Sequence, residues 1–427
     1  MFASLCDRPQ SPSSKKLNQI WAQRYLPDLS CPVNIESELY YQQLATALTP
    51  EYRLATAAKL TRKFFKIKCE RASLQAQSLY STLPNLVSLS EAQRLANTAL
   101  QVYLKLADVY QIAIHRSGSL SQPLAIMQKL QQGEPIPDNL SMTFWGMPSI
   151  EELAEAMDPI LKDFYQEHST SQDWRTTGFL TTLLNFSNRL ILNELSQEQQ
   201  WILLPYLRFV EEQVAIPWQQ VCLEAGQYSL DSPMVAIVEQ GLAQASAIAH
   251  HVYQQLCTSL PQHQSRRGTL DQPAIKHSVV RDLQMIQSYF WLSFLQQQPT
   301  LIQQRLVPLF IMVNSAIDVH WRFVLLANHG LMDRILAGLD LEYIPLVYAH
   351  ANQYVQAFTT RQSEFKGGDL GRVQDQMPKV APPLLEQQGP SSRTLEPNNL
   401  RELQMKLADQ SSELPTIQAP IDQYLLG

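Results

Sequence analysis

A chain of 427 residues is longer than a single hydrophobic core usually grows, so two or three domains are expected. Hydrophobic residues make up 45 %, but charged residues reach only 17 % against a usual share of about 25 %, and 48 glutamines fill the difference. The formal net charge of -6 excludes a general nucleic-acid coat but not a local site. The longest apolar run, LVPLFIMV at 306–313, falls far short of the roughly 18 residues that a spanning helix needs.

Helical periodicity dominates, and no alternating strand with turn chemistry on both sides stands out. Residues 1–33, rich in proline and serine, read as a flexible lead, and IESELYYQQLATAL as the first helix. Thr49-Pro50-Glu51 then supplies a cap, a proline at the first helical position and an early acid, a strong start signal. Nothing breaks the pattern before Leu83-Pro84-Asn85, which predicts one continuous helix of about 45 Å. A second long helix runs from Ser90-Glu91 to about His115. Its seam of Leu95, Ala99, Val102, Leu106, Val109 and Ala113 has the 4-3-4 rhythm of a packed pair, so an antiparallel hairpin is expected. Ser149 and Glu152 fit a capping box at the start of a helix reaching about Gln166, and residues 34–170 are taken together as an N-terminal helical domain.

Residues 174–225 and 277–328 align without a gap at an offset of 103, with Leu180 on Leu283, Leu203 on Leu306, Pro205 on Pro308, Trp218 on Trp321 and Val221 on Val324. This predicts a duplicated all-helical domain over 171–362, with copies at about 174–260 and 277–362 that stack to share a core. Each copy is expected to end in a third helix, at 232–260 and 341–362, and Asn328-His329-Gly330 reads as a helix stop. Each proline is assigned a kink or restart, since it lacks an N–H, and each tryptophan a core position. From Lys366 onward seven prolines and short apolar touches predict a disordered tail over 363–427, in which LRELQMKLA is a candidate partner-induced helix. The fold class expected is therefore all-α: a long N-terminal helical hairpin, a duplicated helical bundle and a disordered C-terminal tail.

Residues 50–75 carry seven basic and two acidic side chains, a local excess in an acidic protein. At 100° per residue Lys59, Arg62, Lys63 and Lys66 share one arc, opposite Leu54, Ala57, Leu60, Phe64, Ile67 and Leu79, with Arg53, Lys68 and Arg71 flanking the apolar side. This basic stripe is the candidate binding surface; a solvated face is the plain alternative. Five cysteines, Cys6, Cys31, Cys69, Cys222 and Cys257, never form C-x-x-C, so reduced thiols and a cytoplasmic location are expected rather than disulfides or zinc. No H-E-x-x-H occurs, and no acid precedes a histidine by three, so no metal site is expected. No glycine loop or nucleophile motif marks an enzyme, and no cofactor is assigned. The function expected is a non-enzymatic interaction protein, an adaptor, scaffold or regulator, with a protein partner reached through an extended helical surface, the stripe or the tail. Two alternatives stand beside it. One is a carrier of a hydrophobic or tetrapyrrole ligand lined by Trp218, Trp321, His250 and His350. The other is a nucleic-acid-binding regulator using the stripe at 59–71.

Overall fold

The computed structural model describes residues 11–25, 43, 46–81, 83, 87–116, 146–169 and 174–360. The described residues are mostly helical, with turns between the helices and one hairpin of two two-residue strands, Gln264–Ser265 and Gly268–Thr269. Among them no helix is long and apolar enough to cross a membrane. The contacts divide the chain into two units, residues 1–227 and 228–427. The tail expected at 363–427 and most of the helix expected at IESELYYQQLATAL lie outside the described residues.

In the first unit, α1 (Pro12–Gln23) occupies part of the lead expected to be flexible. Proline and serine act here as a start signal, not a breaker: Ser11 caps the helix, its hydroxyl accepting from the Ser14 N–H at 3.2 Å, and Pro12 takes the first position. Leu17 and Trp21 are buried. Trp21, Tyr25 and Phe209 meet edge to face at 5.5–5.7 Å.

Thr49 caps α2 (Pro50–Lys59) as its residues predict, but the helix then stops. Leu60 leaves helical geometry at ψ 55°, and Thr61 caps a new helix, α3 (Arg62–Leu79), by accepting from the Phe64 N–H at 3.2 Å. The single helix expected from 50 to 83 is thus two, because a threonine hydroxyl competes for the backbone donor. α3 packs on α4 (Leu89–Arg116) and on α6 (Trp174–Leu192). The α4 seam is placed as its spacing predicts, with Leu95, Ala99, Val102, Leu106 and Ala113 buried and Val109 half-buried. Ser149 and Glu152 form the expected capping box at the head of α5 (Ile150–Ser169), each side chain accepting from the other's N–H at 3.0 and 3.2 Å. α7 (Gln197–Ala215) and the short α8 (Trp218–Ala225) complete the unit.

One run of contacts ties four of these helices together. Phe65 of α3 stacks on Tyr103 of α4 at 5.4 Å, and the Tyr103 hydroxyl donates to Asn188 Oδ1 of α6 at 2.7 Å. Asn188 Nδ2 in turn donates to the Leu207 carbonyl at 2.9 Å and to Glu211 Oε2 at 3.2 Å, both on α7.

The second unit opens with α9 (Pro233–Ser259), capped by Ser232. It continues with α10 (Pro273–Gln296), a π-helical turn at Ile302–Leu306, α11 (Val307–Ala316), α12 (Trp321–Ala337) and α13 (Ile344–Thr360). Moved by 103 positions, α6 falls within α10, α7 covers the π turn and α11, and Trp218 lands on the first residue of α12. Leu180 and Leu283, Leu203 and Leu306, Val221 and Val324, and the two tryptophans are buried in both segments.

Other matched positions diverge. Asn188 corresponds to Trp291 and Glu211 to Asn314. Pro205 sits within a continuous helix, whereas the turn before Pro308 widens to i→i+5 bonding, the Val307 N–H reaching the Ile302 carbonyl.

Helix 233–259, expected to close the first copy, belongs to the second unit instead, where it packs on α10 and α12. Two glycines explain the fit. A Cβ on Gly241 of α9 would overlap the six-membered ring of Trp291, and Gly330 of α12 lies where a Cβ would stand 3.4 Å from Val252. Asn328-His329-Gly330 is accordingly helix interior, and α12 ends at Gly338.

These glycines give opposite expectations under denaturant. Gly241→Ala forces the indole aside and should cost about 1–3 kcal/mol. Gly330→Ala meets only ordinary contact and should be neutral or stabilising by up to about 1 kcal/mol, from helix propensity. Equal shifts of the two unfolding midpoints would contradict the packing described.

Candidate interaction surface

The basic residues of 50–75 divide into those the fold consumes and those it leaves out. Arg53 is fully buried, donating to the Gly146 carbonyl and to Met147 Sδ at 3.7 Å. Burial depresses its pKa. Lys68 is buried and donates to Glu194 Oε1 at 2.6 Å, and that hydrogen bond, with the ammonium charge, holds the Glu194 carboxyl below its usual range.

Lys59, expected in the stripe, ends α2 and donates to Gln199 Oε1 at 2.9 Å. The same amide oxygen accepts from the Ser196 N–H in the capping box of α7, and Gln199 Nε2 donates to Thr56. The helix break at Leu60-Thr61 therefore separates Lys59 from the rest of the stripe.

Arg62, Lys63 and Lys66 are exposed on one helix, α3, as expected, and Arg71 joins them. Lys66 lies 3.8 Å from Glu70, an exposed pair that contributes little. The apolar side of α3 is not the one expected. Phe65, Cys69, Ala72 and Ala76 face the core, whereas Ile67 is 50 % and Leu74 66 % exposed.

At 100° per residue Lys63, Ile67 and Leu74 fall within an arc of about 40°, with Arg62 and Lys66 to one side and Arg71 to the other. The outward face is thus an apolar pair set among four cations and one carboxylate. The signal for this orientation is present in the sequence: Phe65, Cys69, Ala72 and Ala76 repeat the 4-3-4 rhythm of the α4 seam, and Thr61 is a competent cap.

The two tryptophans belong to different units, and both histidines to the second. Trp218, buried in the first unit, lies beneath the Arg24 guanidinium at 5.2 Å. Trp321 in the second donates from Nε1 to the Phe358 carbonyl at 3.2 Å and stacks on that ring. Ring contacts run on from Phe358 through Tyr354 and Phe290 to His350, at 5.3, 5.6 and 5.3 Å. Trp321 and His350 thus join one run of ring contacts. His350 Nε2 is 2.7 Å from Ser293 Oγ. His250 Nδ1 lies 2.8 Å from the Ser246 carbonyl of its own helix.

Comparison of the chain with protein-family models, with curated proteins and with solved structures finds no match.

Burial pushes the His350 pKa down to about 4, below the unfolded value of roughly 6.5. The folded state therefore favours the neutral ring, and protonation favours unfolding. Stability from this site is complete above pH 6.5 and declines as the pH falls toward 4. Denaturation midpoints measured from pH 7.5 to 4.5 should fall more steeply for the native protein than for His350→Gln. Parallel curves would contradict the assignment.

Proposed function

We propose that this chain is a non-enzymatic helical interaction protein that engages an acidic protein partner through the outward face of α3. The observation that carries the reading is the exposure of Ile67 and Leu74 among Arg62, Lys63, Lys66 and Arg71. Full burial of one such apolar side chain is worth roughly 1.5–3 kcal/mol, so covering two gives a partner a central contact. The surrounding cations then supply orientation and encounter rate more than raw affinity. A binding patch with an apolar centre and a charged rim has the ordinary anatomy of a protein interface.

A nucleic-acid partner would use the cations but leave the central apolar pair unmatched, since phosphate contacts dominate such binding. The ligand-carrier alternative draws on Trp321 and His350 sharing one run of ring contacts, but those rings already contact one another and Trp218 belongs to the other unit.

Affinity capture from native lysate tests the reading. The intact chain and a chain lacking residues 366–427 should recover the same protein partner, in nuclease-treated lysate as well. The triple reversal Arg62→Glu, Lys63→Glu, Lys66→Glu should reduce that recovery at least tenfold. Recovery of the bait alone, or a partner indifferent to the reversal, would contradict it.

A further inference from the structure

We infer that the occupant of this face is an acidic amphipathic helix of a second protein, lying along α3 with its apolar seam over Ile67 and Leu74. The inference rests on reading the α3 face as a partner surface, and it specifies what the partner presents there.

Spacing is the first argument. Ile67 and Leu74 are seven residues apart on one continuous helix, two turns and about 10.5 Å along the axis. That is the repeat of one position in a heptad seam, and its natural complement is another helix carrying apolar residues three and four apart. An extended strand rises about 3.3 Å per residue and alternates faces, so it does not reproduce the seam over the same length.

Charge is the second argument. Four cations border the pair, offset by Glu70, which faces Lys66, and by the Glu194 carboxylate, which feels Arg71. Flanking positions of a two-helix seam select opposite charge in the partner, so acidic residues are required beside the partner's apolar seam.

The same observations weigh against other occupants. A second copy packed face to face would set cations against cations. A bilayer would gain only two inserted side chains, because Phe65, Cys69, Ala72 and Ala76 are committed to the core. A phosphate backbone would leave both apolar side chains wet.

Photocross-linking in the full chain provides the test. With p-benzoylphenylalanine in place of Leu74, irradiation in native lysate should join the chain to a segment of another protein, identifiable by mass spectrometry. The expected segment has apolar residues three and four apart bordered by Asp or Glu. As a synthetic peptide it should bind the full chain by fluorescence anisotropy, at least tenfold more weakly after Ile67→Lys. Leu346→Lys, at an exposed leucine of the other unit, should leave its affinity unchanged.

Cross-links to lipid, to nucleic acid or to a second copy, a basic or non-periodic segment, or no cross-link at all would overturn the inference. If charge reversal abolishes capture but the cross-linked segment is of another kind, the interaction reading stands and the helical occupant falls. If the intact chain captures nothing, both fall.

Discussion

Packing of Phe65 on Tyr103 sets which side of residues 62–79 meets water, and the Thr61 hydroxyl, accepting from the Phe64 N–H, starts that helix. Were 50–79 one helix, its apolar side would carry Leu60, Phe64 and Ile67, and the cations would form an ordinary solvated back. In the two-helix arrangement Phe65 and the small residues behind it lie in the core, and Ile67 and Leu74 face out. A cap is worth only about 1 kcal/mol, less than the roughly 1.5–3 kcal/mol from burying Phe65. The cap marks where the helix starts, and packing of Phe65 on Tyr103 holds its orientation.

The low charge content is used economically. Several glutamines serve as bridges from side chain to backbone carbonyl: Gln200 donates to the Leu192 and Leu195 carbonyls past the end of α6, and Gln244 of α9 to the Gly338 carbonyl at the end of α12. These neutral donors meet carbonyls that a helix end leaves unpaired. One buried carboxylate is closely matched by cations. Glu212 accepts from Tyr25 at 2.7 Å, Arg208 at 2.8 Å and Arg24 at 3.4 Å. Burial raises its pKa, yet the two guanidinium groups outweigh that and keep it low. Such a network is poor evidence of net stability, but removing one member strands a charge. Against this background four cations left in solvent on α3 stand out.

Local chemistry was legible and long-range choices were not. The caps at Thr49 and Ser149 and the α4 seam could be read because each signal lies within a few consecutive turns. The α1 start at Ser11-Pro12 has the same chemistry as Thr49-Pro50 and was missed because surrounding serines suggested a flexible lead. Gly330 resembled a stop, but its role depends on Val252, almost eighty residues earlier. The boundary after Gln227 depends on which helices accept α9, and the separation of Lys59 from α3 turns on the break at Leu60-Thr61. The positions of Arg62, Lys63 and Lys66 were legible from periodicity alone, whereas the exposure of Ile67 and Leu74 turned on a choice between two seams of similar spacing.

That choice is open to direct measurement by thiol alkylation with peptide-resolved mass spectrometry. Cys69 is buried, with its thiol pushed up to about 12 by desolvation. In Ile67→Cys and Leu74→Cys variants the new thiols should react with maleimide at least a hundredfold faster than Cys69 under native conditions, and denaturant should remove the difference. Protection of both new thiols with rapid labelling of Cys69 would mean that α3 faces the other way, and the interaction surface described here would not exist.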